Sequence, residues 1–356
     1  MKILFCGLKN EYGNPARGPS FEYKHFYTCL TRMEGVEASM FPFDEIMQKD
    51  GRDAMNAQLI RTVEEQKPDL LFCFLFTEEI KKETIRHITE KTKTKTFNWF
   101  GDDHWRMPGY SRYWAPQFTL VSTTDSKALK HYQFYGITNV IKTQWAANPF
   151  VYVPQNPQKN PGSYGVTFFG QMYGSRGAYV EFLKKNGLPA VGHGRGWPVG
   201  GGSEIQQMLD IYSYSKINLN FSETPYYGVK NKLNLLAKLF VKKELGKYHL
   251  NFQSPITNIQ SLLGTQRLTI KARVFEVSAC GGFLLTGKSD EPLGEYFDLG
   301  KEVVEFSGKD DLLEKCRYYL AHDREREQIA KQGYERTIKE HTYPHRFREI
   351  FKTLEL

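Results

Sequence analysis

The chain has 356 residues, 40% hydrophobic and 25% charged, which is room for two domains of ordinary size and excludes a disordered or fibrous class. A net charge of +8 favours anionic partners, whether nucleotide phosphates, anionic lipid headgroups or nucleic acid, and charge alone does not choose among them. The five cysteines (Cys6, Cys29, Cys73, Cys280, Cys316) form no CxxC pair, which argues for buried free thiols and against a disulfide frame or a zinc site.

Met1-Lys2 leads straight into a short apolar strand rather than a secretory h-region, and the longest apolar run, residues 70–76, is far too short to span a bilayer. The expectation is a soluble, cytoplasmic protein. Aromatic residues make up 14% of the chain, a supply that suits sugar-stacking surfaces and cores equally, with cores the default.

Residues 2–6 (KILFC) read as a buried first strand bounded by Gly7. The loop over residues 7–20, with Gly13, Pro15, Arg17, Gly18 and Pro19, precedes a helix over about 21–33, where doubly wound domains place ligand contacts. It lacks G-x-G-x-x-G spacing, so no dinucleotide fingerprint is read, and a plain surface loop fits as well. Alternation follows: strands over 36–43, 69–76 and 94–100, helices over 52–66 and 79–91. Strands this continuously apolar are buried on both faces, as in a parallel sheet covered by helices.

The strand over 94–100 ends in Gly101-Asp102-Asp103-His104-Trp105. Asp102, Asp103 and His104 at that carboxyl end are candidates to take the proton of a hydroxyl as general base. The competing use is an Asp N-cap and a polar loop. Further strands are read over 118–121 and 139–144, with a helix over 126–135 capped by Asp125. Residues 1–150 make one domain, and 151–163, rich in Pro, Asn and Gln, read as a linker.

Residues 164–170 (YGVTFFG) open a second sheet spanning 164–340. The glycine turn at Gly170 and Arg176 at the following helix start make a phosphate site, where free N–H groups and the helix dipole add to the guanidinium. A solvated surface arginine is the alternative. After a strand over 190–193, Gly194 opens a glycine tract reaching Gly200-Gly201-Gly202 that lets a nucleobase or diphosphate approach the backbone. His193 lacks partners at metal-ligand spacing, and no metal site is read. A helix over 203–214 and a strand over 216–221 follow.

Residues 223–268 look like an insertion. Val229, Leu233, Leu236, Ala237 and Phe240 share a helical face, with Lys230, Lys232, Lys238, Lys242 and Lys243 mainly off it. Such a helix over 229–243 either packs on its own domain or lies on an anionic membrane surface.

In residues 271–286 (KARVFEVSACGGFLLT), a helix carries Arg273 and Glu276 three apart, nearly in line, and runs into Gly281-Gly282 and an apolar strand. The guanidinium suits a phosphate and the carboxylate suits ribose hydroxyls, with Lys271 and the two glycines beside the ligand. An ordinary surface ion pair with a glycine cap fits the spacing equally. The last strand is read over 302–306 and helices over 309–321, 323–339 and 343–356.

This last part resembles the CgeB-like (spore-maturation type) glycosyltransferases, relatives of glycosyltransferase family 4. The likeness rests on Arg273-Val-Phe-Glu276, Ala279-Cys-Gly-Gly-Phe-Leu-Leu-Thr286, Gly300-Lys-Glu-Val-Val304, Tyr318-Tyr-Leu-Ala-His322, Ile329-Ala330 with Gly333, and His341-Thr342-Tyr343 with Arg346. Upstream, Trp99-Phe-Gly-Asp-Asp103 is similar to a W-x-x-D-D segment of these families. The resemblance implies a GT-B fold: two Rossmann-like domains, a nucleoside-diphosphate sugar in the cleft between them, and a C-terminal helix (341–356) crossing back to the first domain. It implies metal-independent transfer from a donor of UDP type, with no cofactor, to a glycan, lipid-linked or other hydroxyl acceptor in cell-surface polysaccharide or glycoconjugate synthesis. Donor contacts then fall to Gly170, Arg176, Gly194, Lys271, Arg273, Glu276, Gly281 and Gly282, and acceptor-side contacts to Gly13 and Arg17.

One departure stands out. Family 4 members usually carry a second glutamate eight residues before the one matching Glu276, and that position is Leu268 here. Two alternatives therefore stay open: a glycosyltransferase acting on nucleic acid, suggested by the charge, and a non-catalytic nucleotide-sugar-binding protein, suggested by the missing glutamate.

Overall fold

The computed structural model describes residues 1–156, 164–199, 205–224, 241–244, 247–250 and 267–356. It divides into two compact units, one containing Met1–Gln144 and Arg346–Leu356, the other Trp145–Tyr226 and Gln266–His345.

The first unit is built on six parallel strands: β1 (Lys2–Gly7), β2 (Glu37–Pro42), β3 (Leu70–Cys73), β4 (Lys95–Phe100), β5 (Leu120–Thr123) and β6 (Val140–Lys142), in the order β2-β1-β3-β4-β5-β6. Parallel neighbours need crossovers, supplied by α1 (Phe43–Asp50), α2 (Arg52–Gln66), α3 (Lys82–Lys91) and α4 (Ser126–Phe134). Side chains alternate across the pleat, so Leu4, Cys6, Leu71 and Cys73 join one core with Met55 and Leu59 of α2. On the other face Phe72 meets Phe5, Phe26, Phe97 and, from near the C-terminus, Phe347. Truncating a ring so enclosed costs about 3–5 kcal/mol.

Two local features depart from the expected pattern. Helix α1 was hidden because its apolar start continues the alternation of β2, and only Gly51, at φ +84, separates it from α2. The helix expected over about 21–33 is shorter and includes a π-helical turn, Tyr23–Tyr27.

The second unit has five parallel strands, β7 (Tyr164–Phe169), β8 (Ala190–His193), β9 (Ser215–Asn220), then β12 (Leu284–Gly287) and β13 (Val304–Phe306), in the order β13-β12-β9-β7-β8. Between β9 and β12 in sequence, β10 (Val241–Glu244) pairs antiparallel with β11 (Lys247–Leu250). Lys242 and Lys243 are therefore in a strand, which corrects that end of the helix expected over 229–243. The rest of that helix and the glycines at 200–202 lie outside the described residues. The helices are α5 (Arg176–Lys185), α6 (Ile205–Tyr214), α7 (Ala272–Ala279), α8 (Lys309–Ala321) and α9 (Asp323–Glu340); α10 (Tyr343–Thr353) belongs from Arg346 onward to the first unit.

Phe168, Leu219, Leu285 and Phe306 pack on one face with Leu312 and Cys316 of α8, while Leu209, Tyr212, Val274 and Val277 fill the other. Residues 151–156, expected as linker, instead pack on this unit. Tyr152 is buried and stacks on Tyr212, and Ser213 Oγ accepts from the Gln155 amide at 3.2 Å. All five cysteines are free and buried.

Candidate functional site

The carboxyl edge of the second sheet gathers positive charge. Arg273 enters from the first turn of α7 and donates through Nη1 to Asn220 Oδ1 at the end of β9, 2.9 Å away. Arg176, at the start of α5, is buried and donates to the Gln171 carbonyl (2.8 Å) and the Tyr173 hydroxyl (2.6 Å). Both guanidiniums lie against one ring, that of Phe168, at 5.1 Å for Arg176 and 4.7 Å for Arg273. Burial, and then the neighbouring Arg273 charge, lower the pKa of Arg176 to about 10, so Arg176 stays cationic at neutral pH. Neither is ion-paired with a carboxylate within 4 Å among the described residues, and the buried Nε of each has no hydrogen-bond partner. Two like charges held this way form an anion site by default.

Glycine is required here for space. A Cβ on Gly170, whose φ is +152, would lie 2.4 Å from Arg273 Nη2, and one on Gly194 would lie 2.9 Å from the Gly170 carbonyl oxygen. The Gly170 amide also donates to His193 O at 2.9 Å. Gly170, Gly194, Arg176 and Arg273 are thus brought together, and Lys271 sits at the same helix start with Nζ on Thr269 Oγ1 at 2.6 Å. Glu276 lies one turn further along α7, buried, beside the Tyr152 hydroxyl and within electrostatic reach of Tyr212. Its charge helps raise both phenols, chiefly raised by burial, while Arg273 lowers that of Tyr212. Half-buried Arg273 and the buried Tyr212 and Glu276 therefore form one electrostatically linked series.

Two expectations are corrected. Gly281 and Gly282 do not reach this edge, because α7 runs antiparallel to the strands and ends at their amino side. Gly281 is the left-handed cap (φ +71). A Cβ on Gly282 would meet the Tyr212 carbonyl at 2.2 Å, so that glycine serves close packing and not a ligand. The first turn of α5 is not an open anion seat either, since the Glu223 carboxylate accepts from the Ser175 amide at 3.0 Å and from its hydroxyl. Asn220, Phe168, Tyr212 and Glu223 carry no motif of their own. They were legible in the sequence only as strand and helix residues.

In the first unit, the expected acid cluster splits. Asp103 is buried and accepts from the Tyr132 hydroxyl at 2.9 Å. Burial raises its pKa to about 7, with the nearby Ser111 and Thr123 hydroxyls and the Tyr132 hydrogen bond opposing the rise. A general base must touch the proton it removes, so Asp103 is a structural acid and not the acceptor's base. Asp102 and His104 are half-buried at the same strand end. The loop after β1 is pinned by Asp44, whose carboxylate accepts from the Lys9 and Asn10 amides at 2.9 and 3.0 Å. Within it Gly13 is buried at φ +66, accepting from Gln48 Nε2 at 2.5 Å, and Arg17 is exposed over the Tyr12 ring. Among the described residues no helix is long and apolar enough to cross a membrane.

Comparison with known proteins fits this geometry. The family described as "Glycosyl transferase-like" matches residues 244–352. Spore protein CgeB of Bacillus subtilis is 27% identical over 96 residues, covering 27% of this chain and only 26% of that protein's own length. Among solved structures, Anabaena HepE in complex with UDP is 12% identical with a TM-score of 0.55 over 100% of both chains. A glycosyltransferase from Rickettsia africae is 10% identical with a TM-score of 0.62 over 99% and 97% of the two chains. Sucrose-phosphate synthase from Thermosynechococcus elongatus is 9% identical with a TM-score of 0.59 over 99% of each. At such identities the likeness is one of fold. The two Rossmann-like parallel sheets are those of GT-B glycosyltransferases, and the expected resemblance to CgeB-like proteins is borne out.

Proposed function

We propose that the chain is a glycosyltransferase that moves a sugar from a nucleoside-diphosphate sugar to an acceptor hydroxyl. The observation that carries this reading is the pair of guanidiniums on Phe168, with unpartnered buried Nε donors and no paired carboxylate among the described residues. A diphosphate supplies the missing anion. As the bond from the donor's anomeric carbon to the diphosphate oxygen breaks, Arg176 and Arg273 stabilise the departing charge, so no divalent cation is needed for that role. Lys271 borders the same place, and Glu276, beside the Tyr152 phenol and within electrostatic reach of Tyr212, is assigned to the ribose hydroxyls. Gly170 and Gly194 let the diphosphate approach the backbone.

For the acceptor, the reading assigns the carboxyl edge of the first unit's sheet. There Asp102 or His104 takes the hydroxyl proton as the new bond to the anomeric carbon forms, and the pinned loop with Gly13 and Arg17 flanks it. The fold shared with HepE, solved with UDP, supports UDP-sugars as the first donors to test. The test is a thermal-shift screen with UDP-, GDP- and dTDP-sugars, followed by assay of nucleotide release. A ligand that binds only the native state raises the melting temperature, and UDP-sugars are expected to raise it most. If no nucleotide sugar shifts the transition at millimolar concentration and none is turned over, the proposal fails.

A further inference from the structure

The first unit carries three large exposed rings on the segments that follow three adjacent strands. Tyr12 follows β1 and is 69% exposed, Phe76 follows β3 at 36%, and Trp105 follows β4 at 46%. Arg106 draws two of these segments together. Its guanidinium lies 4.1 Å from the Phe76 centroid, 5.1 Å from that of Trp105 and 4.2 Å from that of Tyr110, and it donates to the Phe76 carbonyl. Tyr12 belongs to the same edge, because β1 pairs in parallel with β3 and both segments leave the sheet at its carboxyl end. It is also one of the few non-glycine residues with a left-handed backbone, φ 53, a conformation kept only where the surroundings enforce it.

The charges nearby select the ligand. An anionic lipid surface or a nucleic acid needs free cations around the rings. Here Asp102, Glu11, Glu78 and Glu79 lie near them, the Arg17 and Arg106 charges are turned onto ring faces, that of Arg106 also onto a carbonyl, and Lys82 lies 3.9 Å from Glu78. Electron-rich ring faces beside carboxylates and an imidazole match a neutral sugar, whose C–H faces are weakly positive and whose hydroxyls need acceptors. We propose that this edge is a saccharide platform: the acceptor is a glycan whose terminal pyranose stacks on Trp105, with Phe76 and Tyr12 extending the surface and Asp102 and His104 reached by its hydroxyls. The inference rests on the sugar-transfer reading above and names its acceptor class.

The test is binding of the full-length protein, with UDP present, to a printed array of neutral oligosaccharides. Titration of the best binder then follows by isothermal calorimetry, which reads the variants that lack Trp105 as well as the wild type. Trp105→Ala is expected to weaken saccharide binding at least about tenfold and Tyr12→Ala about fivefold, while Trp105→Phe restores most of it. Phe134→Ala removes a still more exposed ring, at the far end of α4, and is expected to change nothing. UDP affinity, measured separately by calorimetry, stays at the wild-type value in all four. Absence of any array binding overturns the platform, as does binding that Phe134→Ala weakens as much as Trp105→Ala. So does Trp105-dependent binding to phosphatidylglycerol vesicles or DNA in place of glycans. Loss of UDP binding by the wild-type protein would instead sink the donor reading, and the array reports independently of it.

Discussion

Replacing Arg273 with methionine separates a binding role from a structural one. Both guanidinium carbons lie about 5 Å from the Phe168 centroid, so at most about 10 Å separates them, and at an effective dielectric near 20 their repulsion is worth at least about 1.7 kcal/mol. Arg273→Met removes that repulsion and keeps an apolar contact with the ring. It also removes the donor to Asn220 Oδ1, a buried acceptor, at a cost of about 1–3 kcal/mol. The two effects oppose each other, so unliganded stability should move by no more than about 1.5 kcal/mol.

Nucleotide binding has no such compensation. A lost charge-assisted hydrogen bond is worth about 1.5–3 kcal/mol, or roughly ten- to 150-fold in Kd. Calorimetric titration with UDP, beside urea unfolding without ligand, reads the two quantities separately. An unchanged Kd would refute the anion site. A fall of more than about 4 kcal/mol in unliganded stability would make Arg273 a packing residue and refute the reasoning differently.

Three more outcomes follow from particular groups. Because burial raises Asp103 to about 7, the folded chain holds that proton more tightly than the unfolded chain. Its contribution is complete below about pH 4 and is lost as pH rises through about 7. Asp103→Asn, able to keep the Tyr132 bond, should therefore gain stability over wild type as pH rises from 5 to 8 in thermal unfolding. A pH-independent difference would count against it, and some slope persists because burial raises Glu22 to about 7 in the same direction. Gly282→Ala, whose new methyl would meet the Tyr212 carbonyl at 2.2 Å, should cost at least about 1–3 kcal/mol in urea unfolding and leave UDP affinity alone. Gly170→Ala, forced against Arg273 Nη2 at 2.4 Å, should instead weaken UDP binding about tenfold or more, measured by calorimetry.

Much of the fold was legible in the chain. Strands such as residues 70–73 are apolar throughout because helices cover both faces of a parallel sheet, and α2 and α8 were read with their observed bounds because Gly51 and Gly308 mark their starts. Helix α1 escaped because apolar alternation continues into it without a break, and the packing of Tyr152 escaped because a segment rich in proline, asparagine and glutamine gives no periodic signal. Of the site, Arg273, Arg176 and Gly170 were legible as charges and turns at strand ends. Asn220 was not, since a buried asparagine at the end of a strand looks the same whether or not it holds an arginine.

The misplaced residues share one cause, which is that a contiguous motif is not a contiguous site. Residues 271–286 make one sequence pattern, but α7 carries the chain about 12 Å from the carboxyl edge to the amino edge of the sheet, at 1.5 Å per residue over eight residues. Lys271 and Arg273, at its start, face the anion place; Gly281 and Gly282, after its end, turn the chain into β12. The same geometry acts on Asp102 to Trp105. Each helical residue rotates its side chain by about 100° from the one before, so a short helix beginning at Asp103 sends that carboxylate to Tyr132 and the Trp105 ring to solvent. Which member of a run of acids can meet a substrate is thus decided by where the helix starts. In this chain that points away from the central aspartate and toward Asp102 and His104 on either side of it.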